Sequence, residues 1–149
     1  MTSWRDITAQ PAQDDLDALT KLGFDWAQHL LKKHGEFFPF GVDMNDQGQD
    51  GFFNADPGLG EHPPVLEVLE VLEVLYVLAS SASASWRAFG VVADITFNGS
   101  DAVRIVAEHQ DVATTFVFTM PYTRKGLLRK TVTYGEMTTV SDEKLTWTH

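Results

Sequence analysis

The sequence predicts an α+β domain in two layers, with a mainly antiparallel sheet of about six strands and two helices on one face. Apolar residues recur with helical spacing in two stretches, and the second half of the chain alternates apolar and polar residues between turn signals. The apolar content of 44% is typical of a globular chain rather than a disordered one. The expected order is α-β-β-α-β-β-β-β in a single domain spanning residues 1–149.

The first helix is expected from about Asp14 to His34. Its apolar residues approximate helical spacing, aspartates stand near its start, and two lysines with His34 stand at its end, as the helix macrodipole favours. Gly35 is the expected stop. Before this helix, residues 1–13 are expected to form a loose polar arm, from which Trp4 and Ile7 could dock.

A β-hairpin is expected after the first helix. The stretch EFFPFGVDM forms its first strand, NDQG its turn and GFFNAD its returning strand. Because Pro39 cannot donate a backbone hydrogen bond, the first of these strands is expected at an edge of the sheet or with a bulge at the proline.

Residues 63–80, PPVLEVLEVLEVLYVLAS, are expected to form the second helix. Three glutamates interrupt the apolar run, so it cannot be a membrane span of about 20 apolar residues. A strand would divide the glutamates between both faces, whereas a helix places Glu67, Glu70 and Glu73 within an arc of roughly 120°. Three apolar residues also fall among the glutamates, either as the rim of the buried face or as a contact with a second copy.

Four strands are expected after the second helix, as an antiparallel meander. WRAFGVVADITF is the first of them, and Asn98-Gly99 is the strongest hairpin-turn signal in the chain. AVRIVAEH and VATTFVFTMPY follow, and LLRKTVTYGEMTTV is expected to close the sheet as one last strand.

The charge of the chain is unevenly distributed. The formal net charge is −10, and residues 1–75 hold 4 Lys/Arg against 14 Asp/Glu, while residues 76–149 hold 7 against 7. A chain this acidic repels phosphate backbones, which argues against nucleic-acid binding. It would attract a basic protein partner and raise the encounter rate, although solubility alone is the simpler explanation of the charge.

The features that the sequence lacks limit the cellular compartment and the cofactors that we expect. There is no cysteine, which suits a reducing cytoplasm and excludes disulfides and thiol chemistry. The first residues have no basic segment followed by an apolar one, so no signal peptide is expected. No metal or other cofactor is expected, because His29 and His34 lie on different faces of the helix and no phosphate-binding loop follows a strand.

The stretch KKHGEFFPFG, which joins the first helix to the hairpin, is the most distinctive motif. It resembles a set of small uncharacterised bacterial proteins that carry His-Gly-Glu-Phe-x-Pro-Phe-Gly after a first helix, with AVRIVAEH and a later Pro-Tyr as further counterparts. The resemblance implies a fold family and no reaction. From the residues themselves, His34 and Glu36 could form the lip of a binding site, or the motif could serve helix termination and core packing alone.

Arg104 and Glu108 form the second candidate site. They are four residues apart on one strand face, while His109 points to the other face. The two charges are expected to join a cross-strand charge ladder with Asp94 or Lys130. No set of nucleophile, base and orienting residue is visible, so no catalytic residue is assigned.

These observations favour a non-catalytic protein-interaction domain, of an immunity or regulatory type, that binds a basic partner. Its candidate binding residues are Glu67, Glu70, Glu73, His34, Glu36, Arg104 and Glu108. The first alternative is a homodimeric protein that binds a small ligand in an apolar groove beside the second helix. The second alternative is a small hydrolase-like enzyme that uses Glu36, Glu108 and a histidine.

Overall fold

The computed structural model describes residues 4–37, 39–53, 75, 86–97, 99–112, 114–125 and 131–143. A short 3₁₀-helix, Trp4–Ile7, precedes a long helix, α1, which spans Gln10–His34. Within the same residues the strands are β1 Phe40–Asn45, β2 Asp50–Phe53, β3 Trp86–Phe97, β4 Ser100–His109, β5 Thr114–Lys125, β6 Thr131–Tyr134 and β7 Thr138–Glu143.

The strands form one antiparallel sheet in the order β2-β1-β3-β4-β5-β6, and β7 also pairs with β5. The helix α1 packs across β1, β3, β4 and β6. The predicted class, an α+β fold with a mainly antiparallel sheet, is confirmed.

The helix α1 begins four residues earlier than expected and ends where expected. Pro11 stands in its first turn, where the missing N–H loses no helical hydrogen bond. At the other end Gly35 adopts the left-handed conformation, with φ of 82°. Its backbone N–H donates to the carbonyl of Leu31 at 2.9 Å, which closes the helix.

The main core lies between α1 and one face of the sheet. Gly23 lets the helix approach closely, because a Cβ at this position would lie 2.8 Å from Ile105 Cδ1 and 3.1 Å from Val92 Cγ2. Trp4 closes one end of this core, with its ring centroid 5.5 Å from that of Phe116. The segment expected to be a loose arm is therefore anchored in the core through Trp4.

The last predicted strand is in fact two. β6 pairs with the second half of β5 and β7 with its first half, so the long strand β5 serves both. The connection falls at residues 135–137, where the N–H of Gly135 donates to the carbonyl of Pro121 at 2.7 Å. Gly135 offers no side chain to the sheet and weakens a continuous strand at this point.

The predicted role of Pro39 is wrong. β1 starts at Phe40, directly after the proline, so no ladder hydrogen bond is missing. β1 pairs with β2 on one side and β3 on the other, and its register shift lies between Met44 and Asn45. Among the described strands, the edge strand next to β1 is therefore β2, and β1 itself lies inside the sheet.

Both faces of β3 are buried. Val92 faces α1, whereas Phe89 and Val91 point to the opposite face and are at most 1% exposed. The predicted second helix, residues 63–80, lies outside the described residues except for Leu75, which is helical and buried. Two helices on one face would leave the other face of the sheet exposed, whereas Phe89 and Val91 on that face are buried. The predicted placement of two helices on one face is therefore not confirmed.

Substitution of Gly41, the last residue of the HGEFFPFG motif, is expected to destabilise the folded protein. It pairs with Phe53, and a Cβ at Gly41 would overlap the Phe53 ring, which is held by Trp86 at a centroid distance of 4.9 Å. We expect Gly41→Ala to destabilise the fold by about 1–3 kcal/mol through overpacking. Urea denaturation measures this, with Gly51→Ala in the same hairpin as the control, since the atom nearest to its Cβ would be Asp43 Oδ1 at 3.2 Å. Equal losses in both variants would contradict the explanation.

Candidate functional site

Two groups of polar side chains lie near opposite ends of α1. The Asp94 cluster contains Glu36, Asp94, Tyr122 and Arg124, and the His109 cluster contains Asp15, Arg87 and His109. Asp15 and Glu36 are 21 residues apart, so the two ends are separated by about 30 Å along the helix axis.

The end of α1 determines where the Asp94 cluster forms. The HGEFFPFG motif turns the chain at Gly35, and a Cβ there would lie 2.9 Å from Nη1 of Arg124. The glycine therefore meets two requirements, the left-handed backbone and the close approach of a guanidinium. His34 and Glu36 flank it with exposed side chains.

The centre of the Asp94 cluster is a partly buried hydrogen bond. The Tyr122 hydroxyl donates to Oδ1 of Asp94 at 2.7 Å, and the Arg124 guanidinium lies 5.9 Å from the centre of the Tyr122 ring. Burial raises the pKa of Asp94, and the charges of Asp101 and Glu36 also raise it, against the lowering effect of the Tyr122 bond and of Arg124. The charge of Glu36 is the smallest of these effects, and the role of Glu36 as a lip residue stays a prediction.

A cavity of about 370 Å³ opens beside this cluster. Tyr134, on one wall, donates its hydroxyl to the carbonyl of Phe24 at 2.7 Å, and the two rings meet edge to face. The lining residues of this β5–β6 cavity are Ser100, Pro121, Tyr122, Thr123, Thr133, Tyr134 and Gly135. The side chains of Tyr122 and Tyr134 turn toward α1, whereas Ser100, Pro121, Thr123, Thr133 and Gly135 lie on the opposite face of their strands. None of the lining residues is charged.

The His109 cluster is internal. The His109 side chain is 2% exposed, and its Nδ1 accepts a hydrogen bond from the backbone N–H of Asp111 at 3.1 Å. The neutral ring therefore carries its hydrogen on Nε2, which donates to Oδ2 of Asp15 at 2.8 Å. Arg87 Nη1 lies 3.5 Å from Oδ1 of Asp15, and its Nη2 donates to the carbonyl of Asp46 at 2.5 Å. Both ring nitrogens are thus occupied by internal contacts.

Arg104 and Glu108 lie on the sheet face turned away from α1. Glu108 pairs in register with Phe89 and is fully buried, and Arg104 lies between Ala93 and Thr119. The expected ladder between Arg104 and Asp94 is wrong, because Asp94 follows Ala93 and therefore points to the other face. Lys130, the other expected partner, is outside the described residues.

The predicted site residues do not converge. Glu36 belongs to the Asp94 cluster at the C-terminal end of α1, whereas Glu108 stands on the other face of the sheet, next to His109. The glutamates of the predicted second helix, Glu67, Glu70 and Glu73, are outside the described residues.

Sequence reasoning named Asp94 only as a partner of Arg104, and it missed the grouping of Asp94 with Tyr122 and Arg124. It also missed the contact between Asp15 and His109. One signal was present for Asp94: it is a charged residue within the apolar strand WRAFGVVADITF. No comparable signal exists for Asp15 and His109, which are 94 positions apart.

The chain matches no protein-family model, no curated protein and no solved structure. Among the helices formed by the described residues, none has the length and apolar character needed to cross a membrane. The same residues contain no group of three or more His, Asp or Glu side chains that could hold a metal ion.

Proposed function

We propose that this chain is a non-catalytic protein-interaction domain that binds a basic partner along the end strands of its sheet. The proposal rests on the positions of the large apolar side chains that are exposed among the described residues. Phe52 is 45% exposed on β2, Val140 is 62% exposed on β7, and Met137, directly before β7, is 37% exposed. All three therefore lie on or beside strands that pair with a single described neighbour.

An end strand is a natural place for a partner to bind. Its outer edge presents N–H and C=O groups that a further strand can pair with, and exposed apolar side chains add contact area. Val140 and Met137 stand on and beside β7, and that strand contains neither lysine nor proline, the residues that commonly protect an edge.

The charges beside both end strands favour a basic partner. Residues 136–143 contain Glu136, Asp142 and Glu143, and residues 43–53 contain Asp43, Asp46 and Asp50, with no Lys or Arg in either range. Complementary charge raises association rates, and like charges disfavour pairing of two copies of this chain through these strands. Glu67, Glu70 and Glu73 of the predicted second helix add to the acidity in the proposal.

Internal contacts of the polar groups support a non-catalytic role. His109 uses both ring nitrogens within the fold, and the hydroxyls of Tyr122 and Tyr134 donate to Asp94 and to the Phe24 carbonyl. The pair of carboxylates considered for an enzyme, Glu36 and Glu108, does not meet. A general acid and base must both reach one substrate position.

The test is Val140→Lys against Thr96→Lys, a variant with the same added charge at an exposed position of β3, which β4 and β5 separate from β7. A partner is first captured from the native host and purified, and binding is then measured by surface plasmon resonance. We expect Val140→Lys to weaken binding by about tenfold or more, since lysine protects an edge strand, and Thr96→Lys to have little effect. Added salt should slow association to the wild type.

Equal affinity of both variants would contradict binding through β7. A protein that light scattering shows to be a dimer, with no partner captured, would favour self-association instead.

A further inference from the structure

A groove lies between the helix α1 and the end strand β2. Its cavity has a volume of about 270 Å³ and is lined by Ala18, Lys21, Leu22, Asp25 and Asp50. The four helix residues are three or four positions apart, so they share one face of α1. The volume lies just below the usual range of small-molecule sites, and it therefore suits one long side chain better than a separate ligand.

The register of β2 with β1 shows which side chains of β2 point toward this groove. Asp50 pairs with Met44 and Phe52 with Val42, and both partners belong to the core between α1 and the sheet. Paired residues point to the same face of a sheet, so Asp50 and Phe52 point to the α1 side. The ring contact between Phe52 and Trp26 of α1, at a centroid distance of 5.6 Å, agrees with this. A carboxylate and an aromatic ring that is 45% exposed therefore lie two residues apart on the same side of β2.

The groove contains two carboxylates and one cation. Nζ of Lys21 lies 2.6 Å from Oδ2 of Asp25, and both side chains are mostly exposed, so water screens this pair and it contributes little. Within the described residues, Asp50 forms no ion pair. Because the whole chain has a net charge of −10, a further cation is favoured at this place.

We propose that the groove between α1 and β2 binds an arginine side chain of the basic partner, with the guanidinium between the carboxylates of Asp25 and Asp50. This inference rests on the proposed function and names the residue that the partner presents at β2. A guanidinium donates to carboxylates in a flat fork and stacks on aromatic rings such as that of Phe52, while its apolar stem packs on residues such as Leu22. A partner strand along the outer edge of β2 would place every second side chain on the α1 side, where it reaches the groove.

Other cations fit this groove less well. A lysine ammonium is compact and strongly hydrated, and it has no flat face to lay on the Phe52 ring. A metal ion prefers several carboxylate or histidine ligands, and the described part of the chain brings together no three such groups. The combination of two carboxylates with an exposed ring therefore favours arginine.

The experiment titrates the full chain, without a partner, with N-acetyl-arginine amide. N-acetyl-citrulline amide, in which an uncharged urea replaces the guanidinium, is the control compound, and NMR follows the backbone amide shifts. We expect the arginine compound to shift the amides of Lys21, Asp25 and Asp50 and to bind about fivefold tighter than the citrulline compound. Equal affinity of the two compounds, or shifts located elsewhere in the chain, would overturn the proposal.

Three variants test the individual charges. Asp50→Asn should weaken binding of the arginine compound about three- to tenfold. Asp101→Asn removes an exposed carboxylate on β4, three strands away from β2, and should leave binding unchanged. Lys21→Met should strengthen binding about twofold, because it removes the cation that competes for Asp25. The same loss in both aspartate variants would indicate a general charge effect and contradict a specific groove.

The titration separates this inference from the proposed function, since it needs no partner, whereas binding through β7 is tested with Val140→Lys and a captured partner. If Val140→Lys weakens binding of the partner while the arginine and citrulline compounds bind equally, the arginine groove is excluded and the interaction domain stands. If the arginine compound binds in the groove while Val140→Lys has no effect, the groove stands and binding through β7 is excluded.

Discussion

Replacing Phe118 with alanine is expected to destabilise the folded state by about 3–5 kcal/mol. Phe118 is 1% exposed and lies on the α1 side of β5, in register with Ile105 and Thr139. Its ring meets that of Trp4 edge to face at 5.4 Å. The truncation would remove both the buried apolar area and this aromatic pair, and would leave a cavity between the sheet and the N-terminal segment.

Val117→Ala is the control for this prediction. Val117 is the preceding residue of β5, half-buried on the opposite face, between Val106 and Val140. We expect it to lose less than about 1.5 kcal/mol, because fewer buried atoms are removed. Guanidinium denaturation followed by far-UV circular dichroism compares the two variants. A loss below 1 kcal/mol for Phe118→Ala would contradict the packing of this face.

Local signals predicted the element limits well where they were strong. The strand expected from WRAFGVVADITF is β3, Trp86–Phe97, residue for residue. The stop at Gly35 and the turn glycine Gly99 both have positive φ, 82° and 77°. In these places the conformation depends on the residue and its immediate neighbours, so a single sequence is informative.

The layering could not be predicted in the same way. β3 carries apolar residues on both faces, for example Phe89 on one and Val92 on the other, so alternation does not indicate which face meets α1. The choice depends on register with β4, where Ile105 opposes Val92. Similarly, the division of the last predicted strand depends on the length of β5, which offers one partner segment to β6 and another to β7.

The candidate site was predictable only in part. The HGEFFPFG motif drew attention to Glu36, whose charge has only the smallest effect on the pKa of Asp94, so its role in a site stays a prediction. The rest of the cluster comes from side chains that a strand register brings together, such as Tyr122 and Asp94, 28 positions apart. Burial and hydrogen bonding of such residues become visible only when the strands are paired.

The second large effect is expected at alkaline pH and comes from Tyr122. This side chain is 4% exposed, and its pKa in the folded protein is raised above the ordinary value of 10.0, first by burial and then by the hydrogen bond to Asp94. Above pH 10 the unfolded chain therefore releases the Tyr122 proton while the folded protein keeps it. Each such tyrosine should lower the free energy of unfolding by up to about 1.4 kcal/mol per pH unit in this range.

The measurement is the free energy of unfolding between pH 9 and pH 11.5, by urea denaturation at each pH. Tyr122→Phe should be less stable than the wild type near pH 7, by about 1–3 kcal/mol, because the partly buried Asp94 loses a donor. Its stability should nevertheless fall less steeply above pH 10, so the two curves should converge as pH rises. Tyr134→Phe should show the same shallower slope, since burial also raises the pKa of Tyr134. Parallel curves for the wild type and Tyr122→Phe would contradict a raised pKa, because the proton of Tyr122 would then be released equally from both states.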